Sequence, residues 1–427
     1  MQSRRPILIM AGGTGGHVFP ALAVAEQLQL LGWPVAWLGT RAGLEARVVP
    51  PTGIPVHWIR VSGLRGKGLV RQLTGPFMLV WALLQAAWIL LRLRPAAVLG
   101  MGGFTTGPGG AMAWLLRRPL VIHEQNAVAG LTNRMLAPLA KPVLEAFPGS
   151  LAGALHTGNP VRRSIAALEF REPDLDARRP RLLVVGGSLG AAVFNQQVPV
   201  ALAGIEAARR PEVWHQTGLR HIDSARAAYD NAAIAVRLDA FIDDMAAAYR
   251  WADLVLCRAG ALTIAELAAV GVASILVPYP YAVDDHQSAN ARYLVDAGAA
   301  VLLPQSELTP ERLREHLALL QQPDQLRDMA RRARDRALPD AAAQVAGHCV
   351  AAAVAQADMR ARSAWIRPDR RAHGGHGMAV NAQTHAVGNP LARSVRAVKA
   401  ARGRPELGAA VTHPQDDQCA ADAEMPL

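Results

Sequence analysis

The sequence Ala-Gly-Gly-Thr-Gly-Gly-His at residues 11–17 decides the fold of the first part of the chain. It follows the apolar run 7–10 and precedes a helical pattern, so it predicts a strand, a tight loop and a helix. Glycines let the backbone turn sharply and bring N–H groups close to an anion, and the dipole of the following helix favours negative charge there. The stretch therefore predicts a site for an oxyanion such as a phosphate. A tight turn that serves packing alone is the alternative.

The strand and helix pattern occurs in two successive series. The predicted strands are 7–10, 35–38, 97–99 and 120–122 in the first series, and 182–185, 213–215, 254–256 and 275–277 in the second. This alternation is typical of parallel sheets. We therefore predict an α/β fold with two doubly wound, Rossmann-like domains that face each other across a cleft, with ligands at the carboxyl ends of the strands.

The same pattern sets the expected domain bounds. We place an N-terminal domain at residues 1–160 and a C-terminal domain at 161–340, with the hinge between Gly158 and Pro180. A C-terminal helix at 341–358 is expected to pack back on the N-terminal domain. Residues 359–427 are rich in Arg, His, Gly and Pro and show little apolar periodicity, which predicts a disordered extension.

Composition restricts the class of protein. A hydrophobic content of 51% over 427 residues indicates a globular chain, and the net charge of +11 suits either nucleic acid or an anionic membrane surface. The chain lacks an aromatic stacking platform or a recognition-helix motif, so a basic nucleic-acid-binding protein is the weaker interpretation. The three cysteines, Cys257, Cys349 and Cys419, are far apart, and the N-terminus lacks a signal-peptide pattern. We expect a reducing compartment.

One apolar segment bears on the location of the protein. Residues 77–91 are almost wholly apolar, include Phe77, Trp81 and Trp88, and are flanked by Lys67, Arg71 and Arg92. The run is shorter than the roughly 20 residues that a membrane span needs. We therefore favour a surface helix that rests on an anionic leaflet. A buried core helix is the alternative.

Other turns suggest different chemistry. The opening turn lacks the third glycine of a dinucleotide fingerprint and the Gly-Lys-Ser/Thr of a P-loop, which argues against NAD and ATP. Residues 186–190 fit the Gly-x-Ser-x-Gly elbow of an α/β serine hydrolase, with Ser188 as nucleophile and Asp253 and His286 as its partners. A serine in a phosphate-binding turn is the competing interpretation.

A third turn resembles a nucleotide site. Residues 257–266 run from a strand end through small side chains into a helix, whose first N–H groups can receive a diphosphate. Glu266 can accept hydrogen bonds from the two hydroxyls of a ribose. The polar loop 284–290 follows the next strand, and Gln287 in it suits sugar hydroxyls. A solvated helix residue is the alternative for Glu266.

Several of these stretches together resemble the MurG family of bacterial peptidoglycan N-acetylglucosaminyltransferases, in glycosyltransferase family 28. The matching stretches are 11–20, 62–68, 101–104, 123–126, 158–162, 241–245 and 257–266. The resemblance implies the GT-B fold and inverting transfer of GlcNAc from UDP-GlcNAc to lipid I, an undecaprenyl-diphosphate-MurNAc-pentapeptide, giving lipid II. It also implies a peripheral location on the cytoplasmic face of the inner membrane, with other cell-wall synthesis and division proteins as further partners.

The resemblance also assigns site residues. The residues implied for the UDP-GlcNAc donor are Thr14, Gly15, Gly16, Asn126, Arg162, Ser188, Ile242, Ala261, Leu262, Thr263, Ile264, Ala265, Glu266 and Gln287. Leu189 departs from the family, in which glutamine is frequent at that position. For the general base, an imidazole that titrates near neutrality favours His17, with Glu124 as the alternative.

We expect no resident cofactor and no metal. The leaving diphosphate is expected to meet the helix that starts near Ala261, the Ser188 turn and Arg162. The pairs at 243–244 and 284–285 lack the strand-end Asp-x-Asp context that holds a divalent ion on a nucleotide diphosphate.

Overall fold

The computed structural model describes residues 4–61, 69–175, 178–187 and 190–365. For residues 69–74, 283 and 363–365 it describes the backbone only. All of these residues belong to one compact unit.

The first sheet has seven parallel strands in the order β3-β2-β1-β4-β5-β6-β7. The strands are β1 Ile7–Met10, β2 Val35–Gly39, β3 Val56–Trp58, β4 Ala97–Gly100, β5 Leu120–Glu124, β6 Val143–Glu145 and β7 Leu155–His156. The accompanying helices are α1 Gly15–Leu30, α2 Glu45–Val48, α3 Leu69–Leu93, α4 Thr106–Leu115 and α5 Leu131–Leu136. The next helix along the chain, α6 Arg163–Ala166, packs instead on the second sheet's side through Ile165.

The second sheet has six parallel strands in the order β10-β9-β8-β11-β12-β13. Its strands are β8 Arg181–Val185, β9 Glu212–Gln216, β10 Arg237–Asp239, β11 Leu254–Cys257, β12 Ala273–Leu276 and β13 Ala300–Leu302. The helices are α7 Ala192–Ala203, α8 Ile222–Asn231, α9 Met245–Trp251, α10 Ala261–Val270, α11 His286–Val295, α12 Pro310–Leu317 and α13 Pro323–Asp335. The following helix, α14 Ala341–Trp365, packs on the first sheet.

Both sheets are covered by helices on both faces. Side chains alternate between the faces of a strand, so Ile7 and Ile9 enter one core with α1, whereas Leu8 and Met10 enter another with α3 and α4. The second sheet has the same arrangement, with Leu183 and Leu182 on opposite faces. Strands buried on both faces explain the continuous apolar runs in the sequence.

The fold prediction is confirmed. Each strand expected from an apolar run is present, with its ends shifted by at most two residues. The sequence did not reveal the short strands β3, β6, β7, β10 and β13, which lie toward the sheet edges.

Two helices differ in length from the prediction. Helix α3 begins at Leu69 and continues through Pro76, so it is longer than the apolar run alone indicated. Helix α14 continues past residue 358 to Trp365. Its buried face, with Val345 and Cys349, packs on the core formed by β1 and α1 of the first sheet. The rest of the predicted extension, 366–427, lies outside the described residues.

One buried histidine makes the second sheet sensitive to acid. His215 in β9 is fully buried and is hydrogen-bonded through Nδ1 to the Tyr229 hydroxyl at 2.9 Å. Burial lowers the pKa of His215 from 6.5 to about 3. The folded protein therefore keeps this imidazole neutral under conditions in which the unfolded chain binds a proton.

We predict that His215→Gln weakens the acid sensitivity of folding. Between about pH 4 and pH 6 only the unfolded state protonates residue 215, so acid lowers the free energy of unfolding by about 1.4 kcal/mol per pH unit for this proton. The variant should reduce the slope by that amount, measured by urea unfolding at several pH values. Above pH 7 both states are neutral at this position, and the two slopes should coincide. An unchanged slope at pH 4–6 would contradict the prediction.

Candidate functional site

A buried carboxylate shapes the loop between β1 and α1. Glu45 is fully buried and accepts hydrogen bonds from the Gly13 N–H at 2.9 Å, the Thr40 N–H at 2.9 Å and the Thr40 hydroxyl at 2.8 Å. Gly13 has a φ of 93°, which favours glycine. The Gly13 amide is therefore already occupied by the protein's own anion.

The start of α1 remains open to a ligand. The first N–H groups of a helix have no partner inside the helix, and these groups belong here to the segment from Thr14 to Gly16. The Thr14 side chain makes no capping hydrogen bond. Within the opening stretch, the available donors are thus the start of the helix and the Thr14 hydroxyl, rather than the whole glycine loop.

A second glycine turn, after β4, packs on the first. A Cβ atom at Gly103 would lie 2.3 Å from the Gly12 carbonyl oxygen, and one at Gly102 would lie 2.8 Å from the His17 ring. Both glycines also have positive φ angles. Only glycine allows this approach, which holds the His17 imidazole against the second turn.

His17 occupies the junction of these loops. Its ring is half-buried, and its Nδ1 lies 2.9 Å from Oε1 of Gln125 in the loop after β5. In the part of the chain that the structure describes, Nε2 of His17 makes no hydrogen bond. One ring nitrogen is therefore fixed by the protein, and the other is free to react.

Glu124, the alternative base, is placed differently. Its carboxylate is buried and accepts hydrogen bonds from the Asn126 N–H at 2.9 Å, the Gly130 N–H at 3.1 Å and the Asn133 amide at 2.9 Å. Both of its oxygens are occupied. These contacts indicate that Glu124 stabilises the loop that follows β5.

Asn290 of α11 joins the two halves of the cleft. Its Oδ1 accepts from the Ala127 N–H at 2.8 Å, and its Nδ2 donates to Oδ1 of Asn126 at 3.3 Å and to the Ala259 carbonyl at 3.3 Å. Asn290 is fully buried. Sequence reasoning did not single it out. The stretch 284–290 was predicted to be a polar loop, but the structure places both Gln287 and Asn290 in the first turns of α11. The predicted donor residue Asn126 is thus part of a contact between the two sheets.

Arg162, which is partly exposed, forms an ion pair with the buried Glu266. Arg162 Nη2 lies 3.1 Å from Glu266 Oε1, and the Tyr249 hydroxyl donates to Glu266 Oε2 at 3.1 Å. The guanidinium also lies over the Phe19 ring of α1, 5.3 Å from its centroid. Burial raises the pKa of the Glu266 carboxyl, and Arg162 acts in the opposite direction. Both oxygens that were expected to bind a ribose already have protein partners.

The start of α10 presents backbone rather than side chains. Gly260, the residue before the helix, is in an extended conformation and, as a glycine, has no side chain to cap the first N–H groups. Ala261 and Ile264 are buried in the core, as is Ile242 near the start of α9, while Leu262, Thr263 and Ala265 are partly buried. A ligand at this helix start would therefore meet the N–H groups of the first turn.

Gln287 is held by the loop before it. Its Oε1 accepts from the Tyr279 N–H at 2.9 Å. The side chain lies at the same sheet edge as the start of α10. Its amide oxygen is hydrogen-bonded to the backbone of the loop that carries the exposed Tyr279 and Tyr281.

Three predicted residues are not described. Ser188 and Lys67 lie outside the described residues, and for Arg71 only the backbone is described. Their predicted roles stay predictions.

The hydrolase alternative is wrong. Asp253 precedes β11, at the amino end of the sheet, whereas the turn with Gly186 and Gly187 follows β8, at the carboxyl end of a parallel strand. Asp253 is also buried in a bidentate pair with Arg178, with both distances at 2.7 Å. It is therefore at the opposite end of the sheet from the turn it would have to serve.

The acidic pairs have local roles in the structure. Asp244 caps α9 by accepting from the Ala247 N–H at 3.0 Å, and Asp285 accepts from the Ser288 hydroxyl at 2.8 Å. Among the described side chains, no three His, Cys, Asp or Glu residues are grouped as metal ligands. The expectation of a metal-free reaction stays a prediction.

A broad apolar surface covers α3, α4 and α5. By length and composition, Gly75–Leu93 resembles a membrane-spanning helix, with a mean hydropathy of 1.7. One face of α3 is packed against the first sheet, with Ala82, Ala86 and Leu90 fully buried. Large apolar side chains are exposed on the three helices, namely Phe77, Val80, Trp81, Leu84, Trp88, Leu91, Trp114, Leu115, Leu131 and Met135.

This surface extends beyond the sequence-based prediction. The apolar run indicated α3 alone, because α4 and α5 are too short and too mixed to show a pattern. Arg92 lies over the Trp88 ring, 5.3 Å from its centroid, and Arg134 and Lys141 are exposed nearby along the chain. Exposed basic residues are therefore present on or close in sequence to the helices that carry the exposed apolar side chains.

The chain matches known proteins over both halves. Residues 7–145 match the glycosyltransferase family 28 N-terminal domain, and residues 181–345 match its C-terminal domain. The solved structure of MurG from Acinetobacter baumannii is 43% identical, covers 81% of this chain and 99% of its own, and superposes with a TM-score of 0.71.

Two curated relatives carry the name UDP-N-acetylglucosamine--N-acetylmuramyl-(pentapeptide) pyrophosphoryl-undecaprenol N-acetylglucosamine transferase. The protein from Alkalilimnicola ehrlichii is 61% identical over 81% of this chain and 98% of its own length. The protein from Nitrosococcus oceani is 58% identical over 74% of this chain and 89% of its own length. The chain therefore belongs to glycosyltransferase family 28, and within it to the MurG family.

Proposed function

We propose that this protein transfers N-acetylglucosamine from UDP-GlcNAc to lipid I and so makes lipid II. The observation that carries the proposal is the 61% identity to a named transferase over 98% of that protein's length. The site geometry supports this chemistry, because Nε2 of His17 has no hydrogen-bond partner among the described residues, and Arg162 lies over the Phe19 ring of the same helix.

The second sheet is proposed to bind the donor. The N–H groups at the start of α10 suit the diphosphate, because a helix N-terminus favours anions. Glu266 is proposed to exchange its contacts for the ribose hydroxyls. Arg162 would then be released toward the diphosphate, the group whose charge grows as UDP leaves.

The first sheet is proposed to bind the acceptor and to supply the base. Nε2 of His17 takes the proton of the acceptor hydroxyl while the hydroxyl oxygen forms a bond to the anomeric carbon of GlcNAc. The bond from that carbon to the diphosphate oxygen breaks, and UDP leaves with the electron pair. Glu124 is the weaker candidate, because its oxygens are occupied by loop donors.

We further propose that the protein is peripheral on the cytoplasmic face of the inner membrane. Exposed tryptophan and phenylalanine side chains beside basic residues are suited to the boundary of an anionic leaflet. This surface belongs to the half of the protein that carries His17. A lipid-linked acceptor would therefore be presented to the half that acts on it.

His17→Ala tests the catalytic assignment. With labelled UDP-GlcNAc and a lipid I analogue at saturation, the variant should lose about 10²-fold or more in kcat, because the general base is absent. UDP-GlcNAc should still raise its melting temperature, since the donor contacts are intact. His221→Ala at the start of α8 is the control. A wild-type protein that transfers no GlcNAc would refute the function, and an unchanged kcat in His17→Ala would refute the base alone.

Arg162→Gln tests the donor site. Without its cation, the pKa of the buried Glu266 carboxyl rises further, so a larger fraction is protonated as the pH falls. UDP affinity measured by calorimetry should drop about tenfold, and should weaken more than in the wild type as the pH is lowered.

Arg163→Gln is the matched control for this variant. Its side chain is 65% exposed and forms only a long, 3.9 Å contact with Glu26. It should bind UDP as the wild type does. If Arg162→Gln behaved in the same way, Arg162 would have no part in donor binding.

Trp81→Glu combined with Trp88→Glu tests the membrane surface. Two carboxylates in place of exposed tryptophans should lower sedimentation with anionic lipid vesicles by roughly tenfold, because both apolar contact and charge attraction are lost. Val200→Glu, an equally exposed apolar site on α7, should leave vesicle binding intact. Equal sedimentation of the double variant and the wild type would count against this surface.

A further inference from the structure

A chain of hydrogen bonds leads from His17 into the core. His17 Nδ1 lies 2.9 Å from Oε1 of Gln125, and Nε2 of Gln125 lies 3.0 Å from Nδ1 of His123. The chain ends where Nε2 of His123 lies 3.0 Å from the Gly158 carbonyl oxygen. Gln125 and His123 are both buried. Gly158 belongs to the segment that joins the two sheets.

Two backbone carbonyls fix the direction of every bond in this chain. A carbonyl oxygen only accepts, so His123 must carry its proton on Nε2 to reach Gly158. Gln125 Nε2 also donates to the His123 carbonyl oxygen at 3.1 Å, which sets the orientation of the amide. The amide oxygen of Gln125 must then face His17.

Burial keeps His123, in the middle of this chain of hydrogen bonds, neutral. The pKa of His123 is lowered from 6.5 to about 4 by burial. With its proton on Nε2, neutral His123 presents a lone pair at Nδ1, and this nitrogen accepts the second N–H of the Gln125 amide. Each polar atom that takes part has a partner of the opposite kind.

The direction of these hydrogen bonds determines which ring nitrogen of His17 carries the hydrogen. The amide oxygen of Gln125 can only accept, so Nδ1 of neutral His17 has to carry the hydrogen. We propose that Gln125 is a positioning residue that holds His17 in the Nδ1–H form and leaves the lone pair on Nε2, the nitrogen that faces the acceptor. This inference rests on the proposed function for its catalytic consequence, but the tautomer itself does not depend on the reaction.

The consequence for catalysis follows from the two forms of imidazole. A neutral ring has one nitrogen that donates and one that accepts, and a general base needs the accepting nitrogen at the substrate. With Nε2–H the ring would donate toward the acceptor hydroxyl and would be unable to take its proton. Gln125 therefore acts on the rate without touching either substrate.

The test compares Gln125→Met with Gln125→Glu. Methionine fills similar space but offers His17 no strong acceptor, whereas a glutamate that is protonated on the oxygen facing His123 can donate to Nδ1 of His123 and keep its other oxygen toward Nδ1 of His17. Histidine-selective ¹⁵N NMR at pH 8.5 distinguishes a protonated ring nitrogen from an unprotonated one, and the His17→Ala spectrum identifies the signals of His17 among the 13 histidines. The wild type and Gln125→Glu should show Nδ1–H, and Gln125→Met should shift to Nε2–H.

Steady-state kinetics on the same proteins gives the second readout. Gln125→Met should lose roughly 10²-fold in kcat, with the KM for UDP-GlcNAc changed less than about threefold, whereas Gln125→Glu should retain most of kcat. A wild-type ring in the Nε2–H form would overturn the inference even if Gln125→Met failed to fold. A tautomer change without loss of kcat would overturn the catalytic role of His17 on which the inference rests.

Discussion

The ion pair between Arg162 and the buried carboxylate of Glu266 is the interaction on which the cleft depends. Arg162 lies in the segment that joins the two sheets, Glu266 belongs to α10 of the second sheet, and the guanidinium also contacts Phe19 of the first. Loss of the arginine would leave the buried Glu266 carboxyl without its cation, and an uncompensated charge in the interior is destabilising. The pair therefore ties α10 of the second sheet to the segment between the sheets.

A second constraint is the burial of carboxylates at the carboxyl edge of the first sheet. Glu45, Glu124 and Glu145 are all buried, and each accepts hydrogen bonds from N–H groups of the loop beside it. Loop amides that would otherwise attract an anion are thereby occupied. In the opening stretch 11–17, the donors left open lie at the start of α1, so the protein's own carboxylates restrict where an anionic substrate can bind there.

The sequence predicted the parts of the fold that depend on local pattern. Strands buried on both faces are continuous apolar runs, and glycine turns follow them at ligand-binding edges, so both sheets and the loops around His17 and α10 were expected. Short edge strands such as β7, with two residues, have too few side chains to form a pattern. Helix α3 was underestimated because Pro76 looked like its beginning.

The rest of the site depends on contacts between distant residues. Gln125 contacts a histidine 108 positions earlier in the chain, and Asn290 contacts Ala127 across 163 positions. No local spacing reveals such pairs. The carboxylate of Glu266 illustrates the same limit, because the sequence indicated an open ribose acceptor, whereas packing against Arg162 and Tyr249 occupies both of its oxygens.

The apolar surface and the proposed base are connected through the second glycine turn. Phe104 is 54% exposed and follows directly after Gly103, the residue that packs on the first loop. Helix α4 starts two residues later and carries the exposed Trp114 on to the surface shared with α3. The turn that packs against the His17 ring is thus followed along the chain by exposed apolar side chains. An acceptor with a hydrocarbon tail and a polar head needs a polar site and an apolar surface on the same half of the protein, and the first half carries both.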